Sequence, residues 1–119
     1  MFFIFKNNLQ LTCVNCNFTL SIKNLMIISI KHKGLKNYWT KDDASKIPSE
    51  MLDKIRMILD LLDSVEEVPQ DFEPFRNLRI HPLKGNLKGF WSLDVTGNYR
   101  IIFSFENKNV FDIDLVDTH

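Results

Sequence analysis

The amino-acid sequence predicts an α+β domain in which two helices pack on a mostly antiparallel sheet. Three observations predict it. Residues 48–62 repeat apolar residues at helical spacing, the segments after residue 78 alternate apolar and polar residues, and short turn sequences join the later segments. A chain of 119 residues supplies one compact domain with one core. The predicted order of elements is β-α-α-β-β-β.

The first two predicted elements are short. Residues 26–30, MIISI, consist mostly of strong β formers and predict an inner strand that ends at the basic stretch 31–33. Residues 35–39 predict a short helix with Leu35, Tyr38 and Trp39 on one face. The polar residues 42–46 are expected to connect this helix to the next.

The second helix has the clearest pattern. Pro48 suits the first turn of a helix, because the N–H group that proline lacks has no partner there. Six apolar residues then follow the i, i+3/i+4, i+7 rule, and most of the acidic residues lie on the other side. The six are Met51, Leu52, Ile55, Ile58, Leu59 and Leu62. Pro69 and Pro74 enclose a loop after the helix.

The rest of the chain alternates with a period of two and predicts strands. Leu78 and Ile80 begin this region on either side of Arg79, and residues 91–95, 101–105 and 111–115 continue it. In the last strand, Phe111, Ile113 and Leu115 are predicted to share one face. Tight turns are predicted at 97–98 and 107–109, because Gly and Asn tolerate positive φ.

Charged residues cancel in number but not in position. The 15 basic and 15 acidic side chains leave no net charge, which argues against indiscriminate coating of nucleic acid. Residues 76–100 carry five bases and one acid and can meet phosphate, whereas the acid-rich residues 42–73 repel it. This acidic run is either the solvated face of a helix or a surface for a basic partner protein.

Residues 1–25 differ from the rest of the chain. They contain none of the 15 acids, and we expect a non-native or variable N-terminal extension at 1–25 before a domain at 26–119. The alternative is a genuine extension that packs on the domain as an added strand. Cys13 and Cys16 form a lone C-x-x-C without the further ligands of a zinc site or the setting of a redox motif. No membrane span or secretory signal is apparent, so a cytoplasmic location is expected.

Five sequence motifs carry a resemblance to a known family. They are MIISIKHKGL at 26–35, HPLKG at 81–85, GFWS at 89–92, GNYRI at 97–101 and the final Asp117-Thr118-His119. Together they resemble the HigB family of toxins from bacterial type II toxin–antitoxin systems, within the RelE superfamily. The resemblance implies a RelE-like fold and a ribosome-dependent endonuclease that cuts mRNA and so inhibits translation.

The resemblance also implies an active site of five residues. Cleavage of RNA without a metal needs a base for the 2′-hydroxyl, an acid for the leaving 5′-oxygen and cations for the phosphorane. His81, alone or in concert with Asp117, is the candidate base and His119 the candidate acid, although these assignments can be exchanged. Two negative charges, those of Asp117 and the terminal carboxylate, favour the imidazolium form of His119. Lys84 and Arg100 stabilise the phosphorane.

The same residues also have ordinary structural interpretations. His81 and Lys84 fit a surface turn, Arg100 fits an ion pair with Asp94 or Asp112, and the last three residues fit a loose chain end. The resemblance favours the catalytic interpretation in each case.

Further RNA contacts are expected from four residues outside this set, Lys33, Lys88, Phe90 and Asn98. Thr118 departs from the family, in which this position is usually Tyr, and threonine cannot stack on a base. Phe90, Trp91 and Tyr99 are the candidate replacements for that stacking, with Trp91 rather expected in the core.

No cofactor is expected. His81, His119 and Asp117 have the chemistry of metal ligands, but Lys84 and Arg100 supply the positive charge that a metal would supply. The expected partners are mRNA on the ribosome and a helix-turn-helix antitoxin, with operator DNA bound only through the antitoxin complex. Two alternatives are a gyrase-inhibiting toxin of the same superfamily and a non-catalytic antitoxin-binding module.

Overall fold

The computed structural model describes residues 26–118, which form two helices packed on a four-stranded sheet. The helices are α1, Lys33–Lys41, and α2, Leu52–Ser64. The strands are β1, His81–Pro82, β2, Phe90–Asp94, β3, Tyr99–Glu106, and β4, Asn109–Asp117. Short 3₁₀ turns lie between them at Ser49–Met51, Gln70–Phe72, Arg76–Leu78 and Gly85–Leu87. Residues 1–25, with Cys13 and Cys16, lie outside the described part.

Both predicted helices are present, and α2 supplies the centre of the core. Its apolar stripe is buried as the periodicity predicts, with Ile55, Ile58 and Leu59 fully inaccessible to solvent. Pro48 precedes the 3₁₀ turn that leads into α2. The Arg56 guanidinium ties the two helices together, because it lies 5.8 Å from the centre of the Tyr38 ring on α1.

The start of α1 has a cap that the sequence did not suggest. The His32 Nδ1 atom accepts a hydrogen bond of 3.2 Å from the Leu35 N–H group, which is otherwise unsatisfied in the first turn of a helix. This contact sets the point at which the chain leaves the sheet, and it places the buried Leu35 against the core.

The four strands lie in the order β1-β2-β3-β4, and every neighbouring pair is antiparallel. Residues 26–31 run parallel to β4 and are joined to it at two bridges, Ile27 with Val110 and Ile30 with Ile113. The prediction of an inner strand here is wrong. Within residues 26–118 this segment is the outermost of the sheet, and its pairing is interrupted by a bulge in β4.

The bulge lies at Asp112, which has a positive φ of 54°. It adds one residue to β4 opposite β3, so the alternation of side chains is reset within the strand. Val110 and Ile113 are both fully buried against the helices, whereas Phe111 pairs with Ser104 on the other side. The predicted common face of Phe111, Ile113 and Leu115 is therefore wrong for Phe111.

The predicted strand at 78–80 is also wrong. Leu78 ends a 3₁₀ turn, and Arg79 adopts a left-handed backbone with φ of 49°. This left-handed backbone interrupts the extended conformation before β1. Pairing with β2 begins only at His81, so that β1 is a two-residue edge strand.

The sheet has two faces of different character. The helix face packs against α1 and α2 and includes Trp91, Leu93, Ile101, Phe103, Val110 and Ile113. The far face points away from the helices, and the strand registers assign to it His81, Phe90, Ser92, Asp94, Arg100, Ile102, Ser104 and Phe111. None of the helices in residues 26–118 is long and apolar enough to span a bilayer.

Candidate active site

His81 lies exposed on the far face at the start of β1. It pairs across the strands with Ser92, and its Nδ1 atom lies 2.9 Å from the Arg79 carbonyl oxygen. A carbonyl oxygen only accepts hydrogen bonds, so Nδ1 carries the proton in this contact. In the neutral ring the Nε2 atom is then unprotonated. A neutral His81 ring in this contact has its Nε2 atom available to accept a hydrogen bond.

Asp94 joins two arginines on the same face. It is the direct cross-strand partner of Arg100, and its Oδ1 atom accepts a hydrogen bond from the Arg100 guanidinium. Its Oδ2 atom lies 2.9 Å from the Arg79 Nε atom. The Asp94 side chain is only 15% exposed, because the two guanidiniums cover it. One carboxylate therefore aligns two cations, which carry a net charge of +1 with it.

Ser92 lies between these groups and is fully buried. Its Oγ atom has no hydrogen-bond partner among the described residues. Register places it opposite His81 on one side and Ile102 on the other. A buried hydroxyl without a partner is costly for folding, by about 1–3 kcal/mol.

The HPLKG segment leaves β1 as an exposed loop. The Leu83 N–H group still pairs with the Phe90 carbonyl oxygen at 2.9 Å, and the loop of residues 84–89 lies between them. Gly85 and Gly89 both have positive φ, 67° and 96°, so that the loop needs glycine at these two positions. Lys84 and Lys88 flank the 3₁₀ turn and are exposed.

The end of the chain is anchored as far as Thr118. The Thr118 N–H group donates to the Asn98 carbonyl oxygen at 2.7 Å, and the Thr118 hydroxyl donates to the same oxygen at 2.9 Å. Asp117 pairs with Tyr99 at the end of β4 and is exposed. Up to Thr118 the chain is thus held to the turn between β2 and β3. His119 lies outside the described residues.

The predicted site residues are not equally close to one another. Strands rise about 3.3 Å per residue and lie about 4.8 Å apart, so the registers separate the Cα atoms of His81 and Arg100 by about 12 Å on one face. Lys84 lies about 10 Å beyond His81 in the opposite direction. Asp117 lies about 17 Å from His81, and the strand alternation turns it toward the other face.

Of the predicted RNA contacts, Phe90 lies half-buried on the far face and Asn98 in the exposed turn beyond Arg100. Lys33 begins α1, next to the segment that borders β4, and so lies at the opposite edge of the sheet from Lys84. Trp91 packs against the core, as predicted. Within residues 26–118, no cluster of three or more His, Cys, Asp or Glu side chains has the geometry of a metal site.

Comparison with known proteins identifies the family. The family model described as RelE-like toxin of type II toxin-antitoxin system HigB matches residues 28–119. The chain belongs to the HigB-like toxin family. The resemblance carried by the five motifs is therefore confirmed, and as a toxin of a type II system the protein has an antitoxin as its partner.

Individual relatives agree with this assignment. Endoribonuclease HigB of Proteus vulgaris is 38% identical over 95 residues, which are 79% of this chain and 100% of that protein. Toxin HigB-1 of Vibrio cholerae is 32% identical over 81 residues, 67% of this chain and 84% of that protein.

A solved structure, that of the YoeB-YefM complex from Staphylococcus aureus, has a chain with the same fold, with a TM-score of 0.50 and 18% identity. The likeness covers 82% of this chain and 99% of that one. The α+β, RelE-like architecture predicted for this HigB-like toxin is thus confirmed.

Two residues of the far face were missed by sequence reasoning. The sequence pattern predicts a strand at Arg79 and gives no partner for its side chain. Ser92 had no signal beyond its position in the GFWS motif, because a single serine in an alternating strand is usually a solvated position.

Proposed function

We propose that this HigB-like toxin is an endoribonuclease that cuts mRNA on the ribosome by attack of a 2′-hydroxyl on the neighbouring phosphate. The observation that supports the proposal is the His81 ring, whose Nδ1 atom faces a carbonyl oxygen, so that in the neutral ring the Nε2 atom is the one that can take a proton. The ring lies on a sheet face that also carries the two guanidiniums of Arg79 and Arg100. The name of the Proteus vulgaris relative supports the same activity.

The proposed chemistry follows from these positions. His81 Nε2 takes the proton of the 2′-hydroxyl, and the freed oxygen bonds to the adjacent phosphorus. The bond from phosphorus to the 5′-oxygen breaks, and this oxygen takes a proton from His119, the proposed acid. The products are a 2′,3′-cyclic phosphate and a 5′-hydroxyl. His81 lies between Lys84 and Arg100, so a strand crossing the far face meets a cation on each side of the scissile phosphate.

The ribosome is the proposed source of the orientation that this surface does not supply. General acid–base groups contribute about 10²–10⁴-fold to a rate, and a two-residue β1 leaves little surface to grip a flexible RNA. Messenger RNA held in the decoding site has already lost its freedom of rotation, and this can contribute several kcal/mol to catalysis. Such an enzyme acts in the bacterial cytoplasm.

The partner is proposed to be a helix-turn-helix antitoxin of the HigA type, and the pair to bind operator DNA through the antitoxin. The acidic side of α2, which includes Asp53 and Asp60, repels RNA and suits a basic protein surface. The RNA and the antitoxin then contact different sides of the toxin.

The test is a map of new 5′ ends in mRNA from a reconstituted translation reaction. Wild-type protein is expected to produce discrete cuts within codons, Lys84→Ala to weaken them and His119→Ala to abolish them. Omission of ribosomes is expected to remove the cuts. Intact message in the wild-type reaction, together with loss of DNA supercoiling by gyrase in a parallel assay, would overturn the proposal in favour of a gyrase inhibitor.

A further inference from the structure

The far face holds a cation that the predicted active site does not include. Arg79 has a left-handed backbone and lies two residues before β1, and its side chain is 73% exposed. Its Nε atom pairs with Asp94, while its two terminal nitrogens carry four of the five N–H donors of a guanidinium. Arg79 therefore has donors to offer to a ligand without leaving Asp94.

Asp94 sets the distance between Arg79 and Arg100. Each of its two carboxylate oxygens faces a different guanidinium, so both planar groups are held near one point. The Arg79 side chain is 73% exposed, so its pairing with Asp94 contributes little to stability, about 0–1 kcal/mol, and folding alone gives little reason to align it with Arg100. Guanidiniums aligned in this way match the oxygen atoms of a phosphate.

The position of the pair relative to His81 is fixed by the backbone. The Arg79 carbonyl oxygen accepts the hydrogen bond from His81 Nδ1, and the Arg79 side chain reaches across to β2. One residue thus orients the base through its main chain and offers donors through its side chain. A phosphate held by this residue lies on the far face beside His81.

We propose that Arg79 and Arg100 form a two-guanidinium clamp for an RNA phosphate next to the scissile one, with Asp94 as the internal counter-ion that aligns them. This inference deepens the proposed function and rests on it for the identity of the ligand. Before RNA binds, the carboxylate neutralises one of the two cations. RNA binds to the outward donors, so Asp94 moderates affinity while keeping the geometry.

The test measures binding without cleavage. The probe is a fluorescent, fully 2′-O-methylated RNA of mixed sequence, which has no free 2′-hydroxyl, so binding is read whether or not the protein cuts RNA. Anisotropy is recorded at several salt concentrations. For single strands, the logarithm of the binding constant falls with the logarithm of salt by about 0.7 per phosphate contact.

Arg79→Gln is expected to weaken binding about fivefold at low salt, the size of one exposed contact, and to reduce the salt slope by about 0.7. Asp94→Asn is expected to tighten binding and steepen the slope. Arg79→Lys keeps the positive charge but removes the planar set of guanidinium donors, so this variant should retain the salt dependence of binding but bind the RNA more weakly. The matched control is Arg76→Gln, which removes the same charge three residues away from an exposed side chain.

The Arg79 side chain is exposed, so its substitution is expected to leave the protein folded, and circular dichroism of each variant checks this. An unchanged slope in Arg79→Gln, or an equal change in Arg76→Gln, would overturn the clamp while leaving cleavage on ribosomes untouched. Wild-type protein that fails to bind the probe at low salt would overturn it as well. A failure of the nuclease proposal appears separately, as intact message in the 5′-end map.

Discussion

Replacement of His81 by asparagine separates the two functions that the structure gives this ring. The Asn amide group can donate to the Arg79 carbonyl oxygen in place of Nδ1, which lies 2.9 Å from it, but no basic nitrogen then occupies the place of Nε2. A general base contributes about 10²–10⁴-fold to the rate, or about 2.7–5.5 kcal/mol of barrier. His81→Asn should therefore slow cleavage by that factor.

The same substitution should have little effect on folding. His81 is exposed, and even complete loss of its hydrogen bond would lower the free energy of unfolding by only about 0.5–1.5 kcal/mol. Single-turnover cleavage of ribosome-bound message gives the rate, and urea unfolding gives the free energy of unfolding. The matched control is His32→Asn, because the His32 ring caps α1 and Asn is a preferred capping residue.

The control variant should retain both rate and stability. A loss of less than tenfold in His81→Asn would refute the assignment of His81 as the base. A loss of unfolding free energy large enough to leave much of the protein unfolded would show instead that the ring is a structural element.

Three further predictions concern the fold and the polar atoms around the site. Leu59→Ala removes a fully buried side chain at the centre of α2 and should lower the free energy of unfolding by about 2–5 kcal/mol. The control is Leu87→Ala, at a side chain 41% exposed, which should change that free energy by less than about 0.5 kcal/mol. Equal effects of the two substitutions in urea titrations would contradict the described core. The backbone N–H groups of Glu66 and Glu67 lower the pKa of Asp71 below its usual value of 3.8. The Asp71 carboxylate therefore stabilises the folded state above pH 3.8, and this stabilisation is lost as the pH falls through the lowered pKa. Asp71→Ala should melt at a lower temperature than wild type at neutral pH and at the same temperature at strongly acidic pH, and a difference that does not depend on pH would contradict this. Ser92→Ala removes a buried hydroxyl that has no partner within residues 26–118 and should leave stability unchanged or raise it, so a loss above about 1 kcal/mol would show that the hydroxyl is bonded.

The parts of the fold that could be predicted from the sequence are those with a local physical cause. The stripe of α2 is visible in the chain because helical burial repeats every three to four residues. The turn between β3 and β4 was predicted from asparagines at 107 and 109, and the positive φ of Asn107 and Lys108 confirms it. The order of helices and strands followed from these signals.

The missed features depend on contacts between distant residues. The bulge at Asp112 is stabilised by Ser29, which exchanges hydrogen bonds with it from 83 positions away. The Arg79 backbone is left-handed rather than extended, and its side chain pairs with Asp94, fifteen positions later. Alternation of apolar residues carries no information on either contact, so the pattern gave Phe111 the wrong face and Arg79 the wrong backbone.

The candidate site was only partly accessible from the sequence. The motifs named His81 and Arg100, and the structure places both on the far face. The ion pair of Arg100 with Asp94, one of the two predicted from the sequence, is present. No local signal indicates that Asp94 also pairs with Arg79, or that Ser92 lies buried between His81 and Ile102, which depends on strand register.

The central claim, attack by a 2′-hydroxyl of the message, is tested most directly by a single-atom change in the RNA. A message with one codon that the wild-type toxin cuts is prepared with a 2′-deoxy sugar at the cleaved nucleotide and translated with the toxin present. We expect cleavage to be lost at that codon alone, and the unmodified message to yield a 2′,3′-cyclic phosphate. Undiminished cutting at the deoxy position would contradict it.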